Sequence, residues 1–512
     1  MSKSFSVEKL VILFTVVVSS VAAYISVKAG YILAYNDATA HLNTARRVVD
    51  NLTPGIVQLG SVWLPLLHIL QIPFISIDYL WRSGLAGWIV SGISFVVTSL
   101  FLYKLVYYMT ESKRAGFISV LVLVFNANML YLQTTAMFEP LLMVTAVIAV
   151  YYLARWTKEE KINYLIFAAF FTMLATLTRY DGWALFVATS VYVLFVAIVK
   201  RIKHKEGVLF FFVFLAGFGI ALWLLYNLTI FSDPLYFQRS EYSAGAQQDI
   251  LEARGQLPTK KNWQLSFQTY SIAVIFNIGV IATTMGVLGI LWYSVRNFLK
   301  PTQWAPLLLL VPYPFNILSL FLGQSVIWMP FMPPYFETFF NIRYGLLVLP
   351  AISFFVAYLT TRYVVAQILV VLLLGVQMYL FFVPSLLPLF GKEVGMVTLA
   401  DTVSSVNEQT KNASDFLRNN YDGGLVMASS ASIDAFIFRT GIPLKNYITE
   451  GTGHFWTESL SDPRRHATWI VFFQDTTDRV GKVVSKWKPL ESEYDLVYED
   501  QTYRIYRRKT KN

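Results

Sequence analysis

Apolar runs of about 20 residues recur along this chain, parted by short polar connections, and each is long enough to cross a bilayer core. The pattern predicts spans near 10–34, 84–110, 115–133, 138–154, 162–178, 182–200, 207–231, 269–295, 305–323, 344–361 and 363–384. That is about eleven helices. The first run is too long for a signal-peptide core and has no clear cleavage site, so it reads as a span. From about Phe390 the apolar runs shorten and turn residues appear. Residues 404–419 and 477–487 read as helices, 424–428 and 469–473 as strands, and 494–498 with 502–506 as a hairpin. The expected fold class is therefore an α-helical polytopic membrane protein over 1–390, followed by a small α/β domain over 391–512.

Composition supports that division. Of 512 residues 56% are hydrophobic and only 14% charged, as in a membrane protein and unlike one large soluble core. The excess of 41 Lys and Arg over 31 Asp and Glu is concentrated in alternate connections, such as Lys113-Arg114 and 200–205. Those connections are expected to be cytoplasmic, with the N-terminus inside and the C-terminal domain outside the plasma membrane. No basic-aromatic surface argues for nucleic acid. Cysteine is absent, which excludes disulfides, thiolate nucleophiles and zinc-cysteine sites.

This topology gathers the conspicuous non-anchor charges on the outer face. The first outer stretch opens on Asn36-Asp37 and closes on Pro54-Gly55, which predicts a helix between them. Ala38, Leu42, Ala45, Val49 and Leu52 form a narrow apolar stripe, with Asp37, His41 and Thr44 on a neighbouring face. The pattern is that of an amphipathic helix lying on the bilayer, presenting one carboxylate and one imidazole. An acid at a helix N-terminus is equally ordinary capping. Beyond it, His68 reads as a satisfied polar group under a Pro-broken apolar segment.

Three further outer residues stand out before the last outer loop. Glu139-Pro140 opens a helix, where the acid either caps or faces a pocket. Arg179 and Asp181 flank Tyr180 at the mouth of two helices, as a local ion pair or as an anion or sugar contact. The loop 327–341 contains Glu337 and leads into Arg343-Tyr344, where an arginine either snorkels or holds a phosphate by a bidentate fork. No motif of metal-ligand spacing is present. Asp37, Glu139 and Glu337 would hold a divalent ion only if they converged, and no cofactor is otherwise implied.

Taken together these residues resemble the GT-C superfamily of polyprenyl-phosphate-sugar-dependent glycosyltransferases, with protein O-mannosyltransferases and aminoarabinose transferases as the most similar branch. The resemblance covers residues 1–390 as architecture. It implies that Asp37, an acid in the first outer loop, is the catalytic carboxylate, with His41 beside it. It implies that Arg343 and Tyr344 hold the lipid phosphate, aided by Arg179; Glu139, Asp181 and Glu337 are expected in the substrate pocket from their place on the same face. Many members carry two adjacent acids where this chain has Asn36 and Ala38 around Asp37.

The expected activity is inverting transfer of a sugar, a hexose or a pentose, from a polyprenyl phosphate to an extracytoplasmic glycan, lipid or protein acceptor, with a carboxylate base. A secondary transporter or lipid flippase is the rival reading. It would place ionisable residues within the spans, where the sequence shows little beyond Lys104 near a span end.

Overall fold

The computed structural model describes residues 6–241, 243–332, 336–386, 388, 395–402, 408–474 and 478–510. The chain is mostly helical and divides into two compact units. The first comprises Met1–Tyr31, Leu64–Leu67 and Trp88–Val403; the second comprises Ile32–Trp63, His68–Gly87 and Ser404–Asn512. The expected division at 390/391 lies outside the described residues.

The first unit is a multispan membrane bundle. Among the described residues seven helices are long and apolar enough to cross a membrane: Val7–Lys28, Leu85–Thr110, Phe138–Glu159, Asp181–Val199, Lys205–Phe231, Ile342–Leu359 and Val364–Phe382. The other expected spans are short or broken. Ile162–Thr176 is a shorter apolar helix, 115–133 divides into Lys113–Val124 and Ala127–Leu132, and 305–323 changes from a 3-10 to an α-helix.

The expected single span 269–295 is two helices, Trp263–Ile278 and Val280–Asn297, bent by 114°. Gly279 makes the break at φ +88°, and a Cβ there would lie 2.3 Å from the Gln377 side chain. A helix broken inside a bundle frees backbone groups that the bundle must satisfy. Amide side chains do so here. Asn126 Nδ2 donates to Asn277 O at 3.0 Å, Asn128 Nδ2 to the same carbonyl at 3.1 Å, and Gln377 Nε2 to Ile278 O at 2.8 Å. The Gln377 Oε1 accepts from Ala282 N at 2.8 Å.

The second unit carries a five-stranded sheet: β1 Leu425–Met427, β2 Tyr447–Ile448, β3 Ala467–Phe473, β4 Tyr494–Glu499 and β5 Tyr503–Arg508. The strand order is β2-β1-β3-β5-β4. β1 runs parallel to β2 and β3, while β5 pairs antiparallel with β3 and β4. The expected hairpin and both expected strands are therefore present; β2 is too short to leave a pattern in the sequence. One face buries Met427, Ile470, Phe472 and Tyr494, each contributing about 1.5–3 kcal/mol through the area it removes from water. The expected helices are Glu408–Asn420 and Arg479–Val484, and the starts of both expectations, 404–407 and 477, lie outside the described residues.

The helix expected between Asn36 and Pro54 also belongs to this unit and departs from expectation. It spans Asn36–Arg47, stopping well before Pro54, and Val49 beyond it is 46% exposed. Every residue from Ala38 to Ala45 is buried. It is not a surface helix with one apolar stripe, because the helix Ser430–Thr440 packs against it.

Candidate active site

In the membrane unit five charged side chains converge on one buried cluster. Arg179 lies in the turn between Ile162–Thr176 and Asp181–Val199. Its Nε donates to Asp181 Oδ2 at 3.0 Å and its Nη1 to Glu139 Oε1 at 2.9 Å. Glu139 sits in the first turn of Phe138–Glu159 with its side chain 1% exposed, and the same Oε1 lies 3.5 Å from Arg343 Nε. Arg343 Nη1 donates to Asp401 Oδ2 at 3.2 Å. The Tyr344 ring centroid lies near both cations, 4.5 Å from the Arg179 guanidinium carbon and 5.3 Å from that of Arg343. Asn316 Nδ2 donates to the other Asp181 oxygen at 2.8 Å.

The local fold explains how Arg343 is aimed. Residues Ile342–Val348 form a 3-10 helix ahead of Leu349–Leu359. Asn277 Nδ2 holds Ile342 O at 2.6 Å and Tyr270 OH holds Tyr344 O at 3.0 Å, one bond on each side of Arg343. Gly345 permits the approach, since a Cβ there would lie 2.4 Å from Ala273 O. The snorkelling alternative fails for Arg343: only 5% of its side chain is exposed, and it is ion-paired.

In the second unit Asp37 is half-buried in the first turn of Asn36–Arg47. One turn on, His41 is buried, its Nδ1 3.2 Å from His68 Nε2 and its ring 4.3 Å from that of Trp63. Burial first, then the neighbouring His41 and Arg47, holds the His68 imidazole well below its ordinary pKa.

The structure thus joins Arg179, Asp181, Glu139, Arg343 and Tyr344. Asp37 and His41 stand together in the other unit. Glu337 is exposed and outside both groups. Among the described residues no group of three or more histidine or carboxylate side chains is placed to hold a metal ion. The sequence reading missed Asp401, which lies past the expected end of the spans, and Asn316, which sits in an apolar helix without a local signal. It also missed Asp434, described below.

The multispan bundle and small C-terminal α/β sheet are those of the ArnT-like GT-C fold. The family model for dolichyl-phosphate-mannose-protein mannosyltransferases matches residues 80–223, a segment that contains Glu139, Arg179 and Asp181 but neither Asp37 nor Arg343. The fold is similar to that of ArnT from Cupriavidus metallidurans bound to undecaprenyl phosphate, with a TM-score of 0.59 and 12% identity over 96% of this chain and 97% of that one. The apo state of the same ArnT gives 0.54 and 13% over 98% of each chain. No curated protein sequence matches this chain.

Proposed function

We propose that this chain is a membrane glycosyltransferase that takes a sugar from a polyprenyl-phosphate donor and transfers it, with inversion, to an acceptor hydroxyl on the outer face of the plasma membrane. The observation that carries the reading is a GT-C fold in which the buried Arg343 and the half-buried Arg179 share one carboxylate and one tyrosine ring. The N-terminus is cytoplasmic, and residues 391–512 form the outer domain. A membrane-impermeant thiol reagent should then label a cysteine placed at Gly451 in intact cells; labelling only after lysis would overturn that orientation.

The donor carries its own leaving group. Charge that develops on the departing phosphate is met by fixed guanidiniums, whose planar forks suit phosphate oxygens. Three carboxylates outnumber two arginines in the cluster, so the phosphate enters by exchanging with one of them, and Asp401 on Arg343 is the partner exchanged. Glu139, Asp181 and Glu337 serve the substrate pocket. Asp37 takes the proton from the acceptor hydroxyl as it attacks the anomeric carbon, and His41 orients that carboxylate. A single displacement by one base inverts the anomeric centre. No step is assigned to a divalent ion.

A transporter would share the broken helix pair at Gly279. In transporters such breaks leave backbone groups for ions; here the freed carbonyls are taken by Asn126, Asn128 and Gln377, which weighs against that reading.

Asp37→Asn tests the assignment, since it keeps the size of the side chain but cannot accept the proton. Sugar release from polyprenyl-phosphate hexoses and pentoses in nanodiscs should fall by about two to four orders of magnitude, with undecaprenyl-phosphate binding unchanged. Turnover equal to the parent's would remove Asp37 as the base.

A further inference from the structure

We propose that the C-terminal sheet domain is the positioning element for the helix that carries Asp37, and that Asp434 is the positioning residue through which it acts. The catalytic half of this proposal rests on Asp37 being the base.

Two side chains one turn apart on Asn36–Arg47 converge on Asp434. Asn43 Nδ2 donates to Asp434 Oδ1 at 2.9 Å and to its backbone carbonyl at 3.1 Å. Arg47 Nη1 lies 3.1 Å from each carboxylate oxygen, and Arg47 Nη2 is held by Thr44 Oγ1 at 2.9 Å. Anchors at positions i and i+4 fix both the rotation and the axial position of a helix. Asp37, less than two turns from Asn43, takes its direction from that rotation.

The anchor is itself held. The helix Ser430–Thr440 breaks at Ile433, whose φ of −133° and ψ of 35° lie outside the helical range one residue before Asp434. Its N-terminal end is tied by Glu450, which accepts from Ser429 Oγ at 2.5 Å and from Ser430 N and Oγ at 2.8 Å. Backbone groups of the domain meet the first outer stretch elsewhere: Gln58 Nε2 donates to Gly451 O at 2.8 Å and Arg82 Nη1 to Gly441 O at 2.7 Å.

The Asp434 side chain is 12% exposed. Burial raises its pKa, against which the Arg47 charge and then the Asn43 hydrogen bond act. A desolvated carboxylate gripping two groups is a stronger fastener than an exposed ion pair.

The test uses the full chain in nanodiscs with Asp434→Asn and Asp434→Glu. Backbone hydrogen exchange should rise about tenfold or more in residues 36–47 of Asp434→Asn, while strands β1 and β3 keep their protection. Asp434→Glu should recover most of it. In the same samples kcat for sugar release from polyprenyl-phosphate mannose should fall about 10–100-fold with KM for the donor unchanged, the cost of a misplaced reacting group. Unchanged exchange in 36–47, or exchange rising equally in β1 and β3, would overturn the positioning role. A loosened helix with an unchanged kcat would uphold the fastening and instead sink Asp37 as the base.

Discussion

Each of the two units holds a pair of arginines, Arg179 with Arg343 and Arg46 with Arg47, set against three carboxylates, and the two arrangements differ in whether the pair shares an acid. In the membrane unit Glu139 touches both Arg179 and Arg343, Tyr344 faces both guanidiniums, and the three acids are 1–4% exposed at their side chains. In the second unit Arg46 and Arg47 share no acid, although Arg46 and Arg82 share the exposed Asp78: Arg46 meets Asp50 at 3.0 Å and Asp78 at 3.6 Å, and Arg47 meets Asp434. Arg46 also donates to the Ile75 carbonyl at 2.8 Å and stacks on Trp81 at 4.8 Å. Arg46 and Arg47 are thus each tied to their own acids. A cluster built around one shared acid would, on the reading proposed above, let an arginine pass to an incoming anion without leaving it unpaired.

The comparison breaks first at Arg343. Removing it strands buried carboxylates, so Arg343→Ala should lower stability by about 3–5 kcal/mol and weaken undecaprenyl-phosphate binding about 30-fold or more. Arg343→Lys keeps the charge without the fork and should recover part of both, as read by thermal unfolding and lipid titration. Equal affinity in all three proteins would make the cluster purely structural.

Asp401→Asn is the sharper probe because its predicted sign is opposite. If Asp401 competes with the phosphate for Arg343, loss of its charge should tighten undecaprenyl-phosphate binding several-fold. Weaker binding would make Asp401 a support for Arg343 rather than a stand-in for the ligand.

The smallest effect belongs to the fasteners at the surface. Asp78 is 55% exposed and pairs with Arg46 and Arg82, so Asp78→Ala should change stability by about 0–1 kcal/mol and leave turnover at the parent level. A loss comparable to that of Arg343→Ala would erase the distinction between the two networks.

Hydropathy by itself determined that this is a multispan membrane protein with a small α/β domain at its C-terminal end, because burial in lipid and alternation in a sheet are written in nearest-neighbour periodicity. It also marked Glu139, Arg179, Asp181 and Arg343 as charges at helix ends, each with a bland and a functional reading. Only the tertiary structure brings the four into one cluster. Glu139 and Arg343 stand 204 positions apart, and no local pattern records that they meet. Asp401 and Asp434 were invisible for the same reason: an ion pair is a property of two distant segments. The 114° bend at Gly279 required Gln377 from another helix, and the helix Asn36–Arg47 became buried because Ser430–Thr440 covers it. Periodicity is local and survives in the sequence; convergence of charge is nonlocal and exists only once the chain has folded.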